Sequence, residues 1–176
     1  MTEALIVVSG LPGTGKTTVG EAVARRTRAV WLSVDDIEDA LLGFGLPSDW
    51  TTGVAAYEAV AAAASKNLSL GHVVIVDAVN DSEPARDTWR RAADAASAPV
   101  VFVLLTPPPE RQHRARLEER TRHLAHQSEP SWEHVQERAG RYERWRDPPV
   151  SVDSSQPLDA VIAEVAAIVR AATGDP

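Results

Sequence analysis

Apolar residues occur along the chain in two patterns, unbroken short runs and positions spaced three and four apart. Ala4–Val8, Val73–Val76 and Val100–Leu105 are unbroken, the pattern of strands covered on both faces of a parallel sheet. Val30–Val34 and Val150–Asp153 fit two weaker strands. Between the strands the spacing turns helical. One helix begins inside a glycine-rich loop and runs to about Arg28, and a second runs from near Asp36 to before Gly43. Gly43–Thr52, holding Phe44, Pro47 and Trp50, reads as a loop. Val54, Tyr57, Ala61, Ala64 and Leu68 mark a helix over Gly53–Leu70, closed by Gly71. Glu83–Ala96 is a further helix with Pro84 in its first turn. The last helix opens near Pro157 and is expected to bury Leu158, Val161, Ile162, Val165, Ile168 and Val169. Strands alternating with helices predict an α/β layered fold, read as one domain over residues 1–176. Residues 121–131, polar and broken by Pro130, stand out as an insert.

Composition narrows the chemistry. With no cysteine, disulfides and thiolate metal sites are excluded, which suits a reducing cytoplasm. No signal pattern and no run of membrane-spanning length is visible, so a soluble cytoplasmic protein is expected. A net charge of −7 weighs against duplex DNA and anionic membranes. The basic residues are unevenly divided, since Lys16 and Lys66 are the only lysines. Nine of the arginines fall between Arg111 and Arg146. Most of that cluster reads as a solvated, salt-bridged surface, with Arg111, Arg138, Arg141 and Arg144 in that class. Arg116 and Arg120, four apart beside the polar insert, are candidates to meet a ligand.

The strongest chemical signal follows the first strand. Gly10-Leu11-Pro12-Gly13-Thr14-Gly15-Lys16-Thr17 matches G-x-x-x-x-G-K-[ST] in full. Gly10, Gly13 and Gly15 let the backbone close on a polyphosphate, and Thr14 and Thr18 complete the cradle at the helix start. Lys16 is placed to reach the β- and γ-phosphates, and the Thr17 hydroxyl to ligate Mg²⁺. A nucleoside triphosphate and Mg²⁺ are therefore the expected cofactors.

The remaining motifs choose among P-loop proteins. The strand ending at Asp77 supplies an acid for the Mg²⁺ side, but Ala78 follows it where a water-polarising glutamate would suit a motor ATPase. Neither D-x-x-G after that strand nor N-K-x-D occurs, which disfavours a GTPase switch. A kinase remains. It needs a base for the acceptor hydroxyl, compensating charge and exclusion of water. Asp35, just past the second strand, lies where open α/β sheets bind ligands. Asp35 can serve as that base or in a capping role; Ser33 and Asp36 are candidate helix N-caps. Phe44, Trp50 and Tyr57 either stack on an acceptor or pack a long connection. His123 and His126 read as solvated residues of the insert, and Trp132, Tyr142 and Trp145 as core or interface aromatics.

With these parts assembled, the sequence resembles the small P-loop kinases of the polynucleotide kinase, gluconate kinase and chloramphenicol phosphotransferase type, including the zeta-toxin-like branch of AAA-domain kinases. The likeness rests on the phosphate loop, Val34-Asp35-Asp36, Gly71–Asn80, Leu104–Pro109 with its Arg-rich helix, and Val150–Asp153. It implies a three-layer αβα sandwich on a five-stranded parallel sheet ordered 2-3-1-4-5, with an Arg-bearing lid. It also implies ATP as the nucleotide, Asp35 as the base, Asp77 orienting Mg²⁺ through water and Asn80 near the acceptor. By the same likeness Arg120 would sit on the transferring phosphate and Arg116 nearer the adenine. Glu38 departs from the pattern, standing where polynucleotide kinases tend to carry an arginine for the acceptor phosphate.

The expectation is a kinase for a hydroxyl of a small molecule (sugar, nucleoside or antibiotic), acting as a monomer or homodimer without nucleic acid or membrane. The alternatives are a polynucleotide or nucleoside 5′-hydroxyl kinase, or a nucleotide-binding regulatory or toxin-like module with little transfer.

Overall fold

In the computed structural model, which describes residues 2–119 and 124–174, five parallel strands form one sheet. They are β1 (Leu5–Ser9), β2 (Val30–Ser33), β3 (Val74–Asp77), β4 (Val100–Thr106) and β5 (Val150–Asp153). Their order is β2-β3-β1-β4-β5, as the resemblance implied. The registers Leu5↔Val74, Leu5↔Val100 and Ser33↔Asp77 bring the carboxyl ends of β1, β2 and β3 to one edge. The helices are α1 (Lys16–Thr27), α2 (Val34–Phe44), α3 (Trp50–Ser69), α4 (Glu83–Ala95), α5 (Glu110–Glu119), α6 (Trp132–Arg141) and α7 (Leu158–Thr173).

Two cores explain the unbroken apolar strands. Ile6, Val8, Ile75, Val103 and Val152 point to one face and pack on Val19 and Val23 of α1 and Val161, Val165 and Val169 of α7. Leu5, Val7, Val74 and Val76 point to the other and pack on Ala56, Val60 and Ala64 of α3 and Trp89 and Ala93 of α4. Every side chain of β1 is buried, since helices cover both faces of the central strand.

Several expected boundaries move. α2 begins directly after β2 at Val34, so Asp35 and Asp36 both lie in its first turn, and Ser33 is the N-cap without a side-chain capping bond. α2 also runs through Gly43 and ends at Phe44, capped by Gly45, whose φ of 106° favours glycine. α3 begins at Trp50, because the Asp49 carboxylate accepts the Thr52 N–H at 3.0 Å and offsets the poor helix formers Trp-Thr-Thr-Gly. Leu158 is half exposed at the first turn of α7, where it borders a cavity rather than the core. Among the described residues no helix is long and apolar enough to cross a membrane.

Candidate active site

The phosphate loop bridges β1 and α1 with the geometry its glycines dictate. Gly10 has φ 146°, and a Cβ there would stand 2.7 Å from the Leu105 carbonyl oxygen. Gly15, at φ 93°, is the N-cap of α1, whose first turn holds no acid to oppose an anion. Thr14 Oγ1 and Lys16 Nζ both donate to the Leu11 carbonyl, at 2.9 and 3.2 Å. The loop is propped from outside the motif. His113 of α5 is buried against Gly13, and its Nε2–H donates to the Pro12 carbonyl at 2.7 Å. Burial holds the His113 pKa below its ordinary value. Its role was not legible in the sequence, where it is one histidine in a charged helix.

Gly13, Thr14, Gly15, Lys16, Thr17 and Thr18 line a cavity of about 660 Å³. Ser33, Asp35 and Asp36 line it too, as do Arg116, Ser154, Gln156, Leu158 and Val161. Arg116 donates to the Ser154 carbonyl at 2.7 Å, which fixes it among the residues of the α7 side. Arg120 and His123 lie outside the described residues, as do Thr121 and Arg122 of the insert.

Asp77 ends β3 opposite Ser33 and is almost wholly buried. Burial pushes its pKa up to about 6, against the Lys16 charge and the Thr17 hydroxyl. Asp77 Oδ2 and Ser33 Oγ are buried with no hydrogen-bond partner, as is Trp31 Nε1 nearby on β2. Hard oxygens left unsatisfied beside the Thr17 hydroxyl fit Mg²⁺, which prefers oxygen ligands and keeps several waters. Among the described residues no cluster of three or more His, Asp or Glu forms an all-protein metal site.

A second cavity, of about 730 Å³, opens on the other side of Asp35. Its walls include Glu38 of α2, Asp49, Trp50 and Tyr57 around the start of α3, Asp81, Thr88 and Arg91 by α4, and Arg138 of α6. Among the described residues, Asp35 alone lines both cavities. Trp50, 81% exposed, stands at the wall of this cavity, whereas Phe44, 86% exposed at the end of α2, lines neither. Tyr57 also lines the cavity, but its ring packs on Trp89 at 5.4 Å and its hydroxyl accepts the Asn80 N–H at 3.2 Å.

Asn80 is on neither wall. It is fully buried with φ 56°, donates Nδ2–H to Ser9 Oγ at 2.9 Å and accepts the Trp89 indole N–H at 2.6 Å. It therefore ties β1, the β3–α4 loop and α4 together behind the two cavities. Arg138 is partly exposed and salt-bridged, as expected, its partner being Asp81 at 3.4 Å on the wall of the second cavity.

The segment after α5 folds back over α2. The Asp39 carboxylate accepts the backbone N–H groups of Ala125, His126 and Gln127 at 3.1, 2.7 and 2.8 Å. These three bonds outweigh desolvation and hold the Asp39 pKa below its ordinary value. The His126 ring packs on Gly43, where a Cβ would meet it at 2.7 Å, and Gln127 Nε2 donates to the Asp35 carbonyl at 3.4 Å. The segment thus closes on the turn that carries Asp35, with Leu124 on the wall of the first cavity.

A family model described as an AAA domain matches residues 5–145, most of the chain and all of the phosphate loop. The chain belongs to this AAA domain family. No curated protein matches the sequence. Among solved structures it is similar to a sugar kinase from Janibacter sp. HTCC2649, at 21% identity and TM-score 0.72 over 98% of each chain. It is also similar to a gluconokinase from Sinorhizobium meliloti 1021, at 24% identity and TM-score 0.70 over 99% of this chain and 95% of the other. A third is the Mycobacterium tuberculosis APS kinase in complex with AMPPNP and APS, at 20% identity and TM-score 0.69 over 96% and 98%. The AAA domain of this chain thus has the fold of the small P-loop kinases.

Proposed function

We propose that the protein is an ATP- and Mg²⁺-dependent phosphotransferase that moves the γ-phosphoryl group to a hydroxyl of a small molecule. The observation that carries this reading is the position of Asp35, shared by the phosphate-loop cavity and by a second cavity with room for an acceptor. In this reading Lys16 and the loop amides hold the β- and γ-phosphates, and Arg116 covers the base end. Thr17 holds Mg²⁺ directly, with Asp77 and Ser33 behind it. When bound, Mg²⁺ neutralises charge on the phosphates. The acceptor hydroxyl gives its proton to Asp35 as its oxygen bonds to the γ-phosphorus, and the bond to the β–γ bridging oxygen breaks to release ADP. Arg120 would add positive charge as the transition state spreads.

Mass-spectrometric screening of sugars, nucleosides and hydroxyl-bearing antibiotics with ATP and Mg²⁺ tests this reading. A gain of one phosphate on one of these classes is expected. Transfer confined to a 5′-hydroxyl oligonucleotide would show a nucleic-acid kinase instead.

In the same reading residues 121–131 form a lid, and Asp39 latches it shut. Asp39→Ala removes three hydrogen bonds from the lid backbone, while Asp39 itself lines neither cavity. Water should then compete with the acceptor, raising ATP hydrolysed per acceptor phosphorylated by about three- to tenfold. Parallel ADP and product assays measure that ratio, and an unchanged value sinks the latch.

A further inference from the structure

One peptide of the phosphate loop can present either of two faces to an anion. Leu11-Pro12-Gly13-Thr14 is a turn closed by the Thr14 N–H on the Leu11 carbonyl at 3.3 Å. Proline in its second position and glycine at φ 86° in its third give it the type II form. Types I and II differ mainly by a half-rotation of the central peptide, here Pro12–Gly13, and glycine tolerates both. In a planar trans peptide the carbonyl and the following N–H point in opposite directions. The rotation therefore decides whether the Gly13 N–H or the Pro12 carbonyl faces the cavity that Gly13 lines. An N–H there attracts phosphate, and a carbonyl oxygen repels it.

His113 holds that carbonyl. Its Nε2–H donates to the Pro12 oxygen at 2.7 Å, from 101 positions further along the chain. The Leu11 carbonyl, by contrast, is held from inside the motif, by Thr14 and Lys16. The His113 ring has no room to follow a rotated carbonyl. It is 3% exposed and lies 3.1 Å from where a Gly13 Cβ would stand. Its other neighbour is the Trp132 ring, met edge-on at 5.3 Å, and Trp132 packs on the small core of Leu11, Leu117 and Val135. Resting on the phosphate-binding part of the reading above, we propose that His113 is a positioning residue for the nucleotide. It fixes the Pro12 carbonyl away from the cavity and so presents the Gly13 N–H to the phosphates. His113 lines neither cavity, so it acts only through the loop.

Side-chain reach separates this role from simple packing. His113→Gln keeps an amide N–H near the Nε2 position, whereas His113→Asn carries the same group one methylene short. His113→Leu fills the space with no donor. In calorimetry with ADP and Mg²⁺, the glutamine variant should bind within about threefold of the unaltered protein. The leucine and asparagine variants should bind about tenfold more weakly, the loss expected when the competent loop is populated about one part in ten. The asparagine variant supplies the contrast even if the leucine variant folds poorly. In turnover assays the loss should appear in the nucleotide KM, with kcat at saturating ATP within about twofold of the unaltered value. Equal ADP affinity in all four proteins overturns the proposal, and so does a glutamine variant as weak as the leucine one. A fall in kcat with the nucleotide KM unchanged overturns it too. If ADP binds in the expected order but no acceptor is phosphorylated, the phosphotransferase reading fails while the role of His113 stands. Failure of the unaltered protein to bind ADP overturns both.

Discussion

Asp35→Asn should leave ATP affinity near that of the unaltered protein while lowering acceptor phosphorylation by about 10²- to 10⁴-fold, the range a positioned general base supplies. The substitution is nearly isosteric, and it removes the carboxylate of the one residue that lines both cavities among the described residues. Asparagine cannot take the hydroxyl proton, so the loss belongs in kcat rather than in nucleotide binding. Lys16→Ala gives the contrast. Lys16 is buried in the phosphate loop with its ammonium across the loop mouth on the Leu11 carbonyl, so its removal should weaken ATP binding and transfer together. Titration with a fluorescent ATP analogue, alongside product formation under saturating acceptor, separates the two cases. Unchanged turnover in Asp35→Asn would remove Asp35 as the base, whereas no product from either protein would leave a nucleotide-binding module as the better description.

The parts of this site that were legible in sequence are those whose chemistry is local. Unbroken apolar runs revealed the strands because both sheet faces are covered, and the glycines of the phosphate loop revealed a backbone that no other residue can follow. Asp35 was found because a strand end is a fixed place in an α/β sheet. What stayed hidden depends on partners far along the chain. Asn80 looked like an acceptor contact, yet Ser9, Tyr57 and Trp89 draw it into the core. Asp39 is an ordinary acid on an amphipathic helix until residues 125–127 fold back 86 to 88 positions away. Trp50 and Asp49 read as loop because the cap that starts α3 is a tertiary choice rather than a propensity. The acidity of the second cavity is likewise contributed by separate elements and has no motif.

Arg86→Met should lower stability by about 3–5 kcal/mol, the usual cost of breaking a buried, fully bonded charge. In a chain of this length that corresponds to roughly 10 °C in Tm. Arg86 is 0% exposed in the first turns of α4, where composition alone suggests a solvated arginine. Its guanidinium donates to the Asn80 carbonyl at 3.0 Å, Glu83 at 2.6 Å, the Arg144 carbonyl at 3.1 Å and the Glu143 carbonyl at 2.8 Å. It also lies 3.9 Å from the Trp145 ring centroid. One side chain therefore joins α4, the loop bearing Asn80 and the connection between α6 and β5, 57 and 58 positions further along. Methionine fills similar volume but leaves three carbonyls without this donor and removes one of the donors to the Glu83 carboxylate. Arg86→Lys should fare little better, since a single ammonium cannot span four acceptors in a plane or stack on the indole. A pH signature separates this from simple loss of packing. Despite desolvation, bonds from Arg86, the Arg146 N–H and Arg90 hold the Glu83 pKa down to about 2, below its ordinary 4.5. A depressed acid stabilises the fold above its unfolded pKa and loses that contribution as pH falls toward the folded one. The unaltered protein should thus lose part of its stability between about pH 4.5 and 2, and Arg86→Met should show a shallower fall across that window. Thermal melts of both proteins across that range measure the slope. A Tm within about 2 °C of the unaltered value at pH 7 would show that the junction does not depend on Arg86.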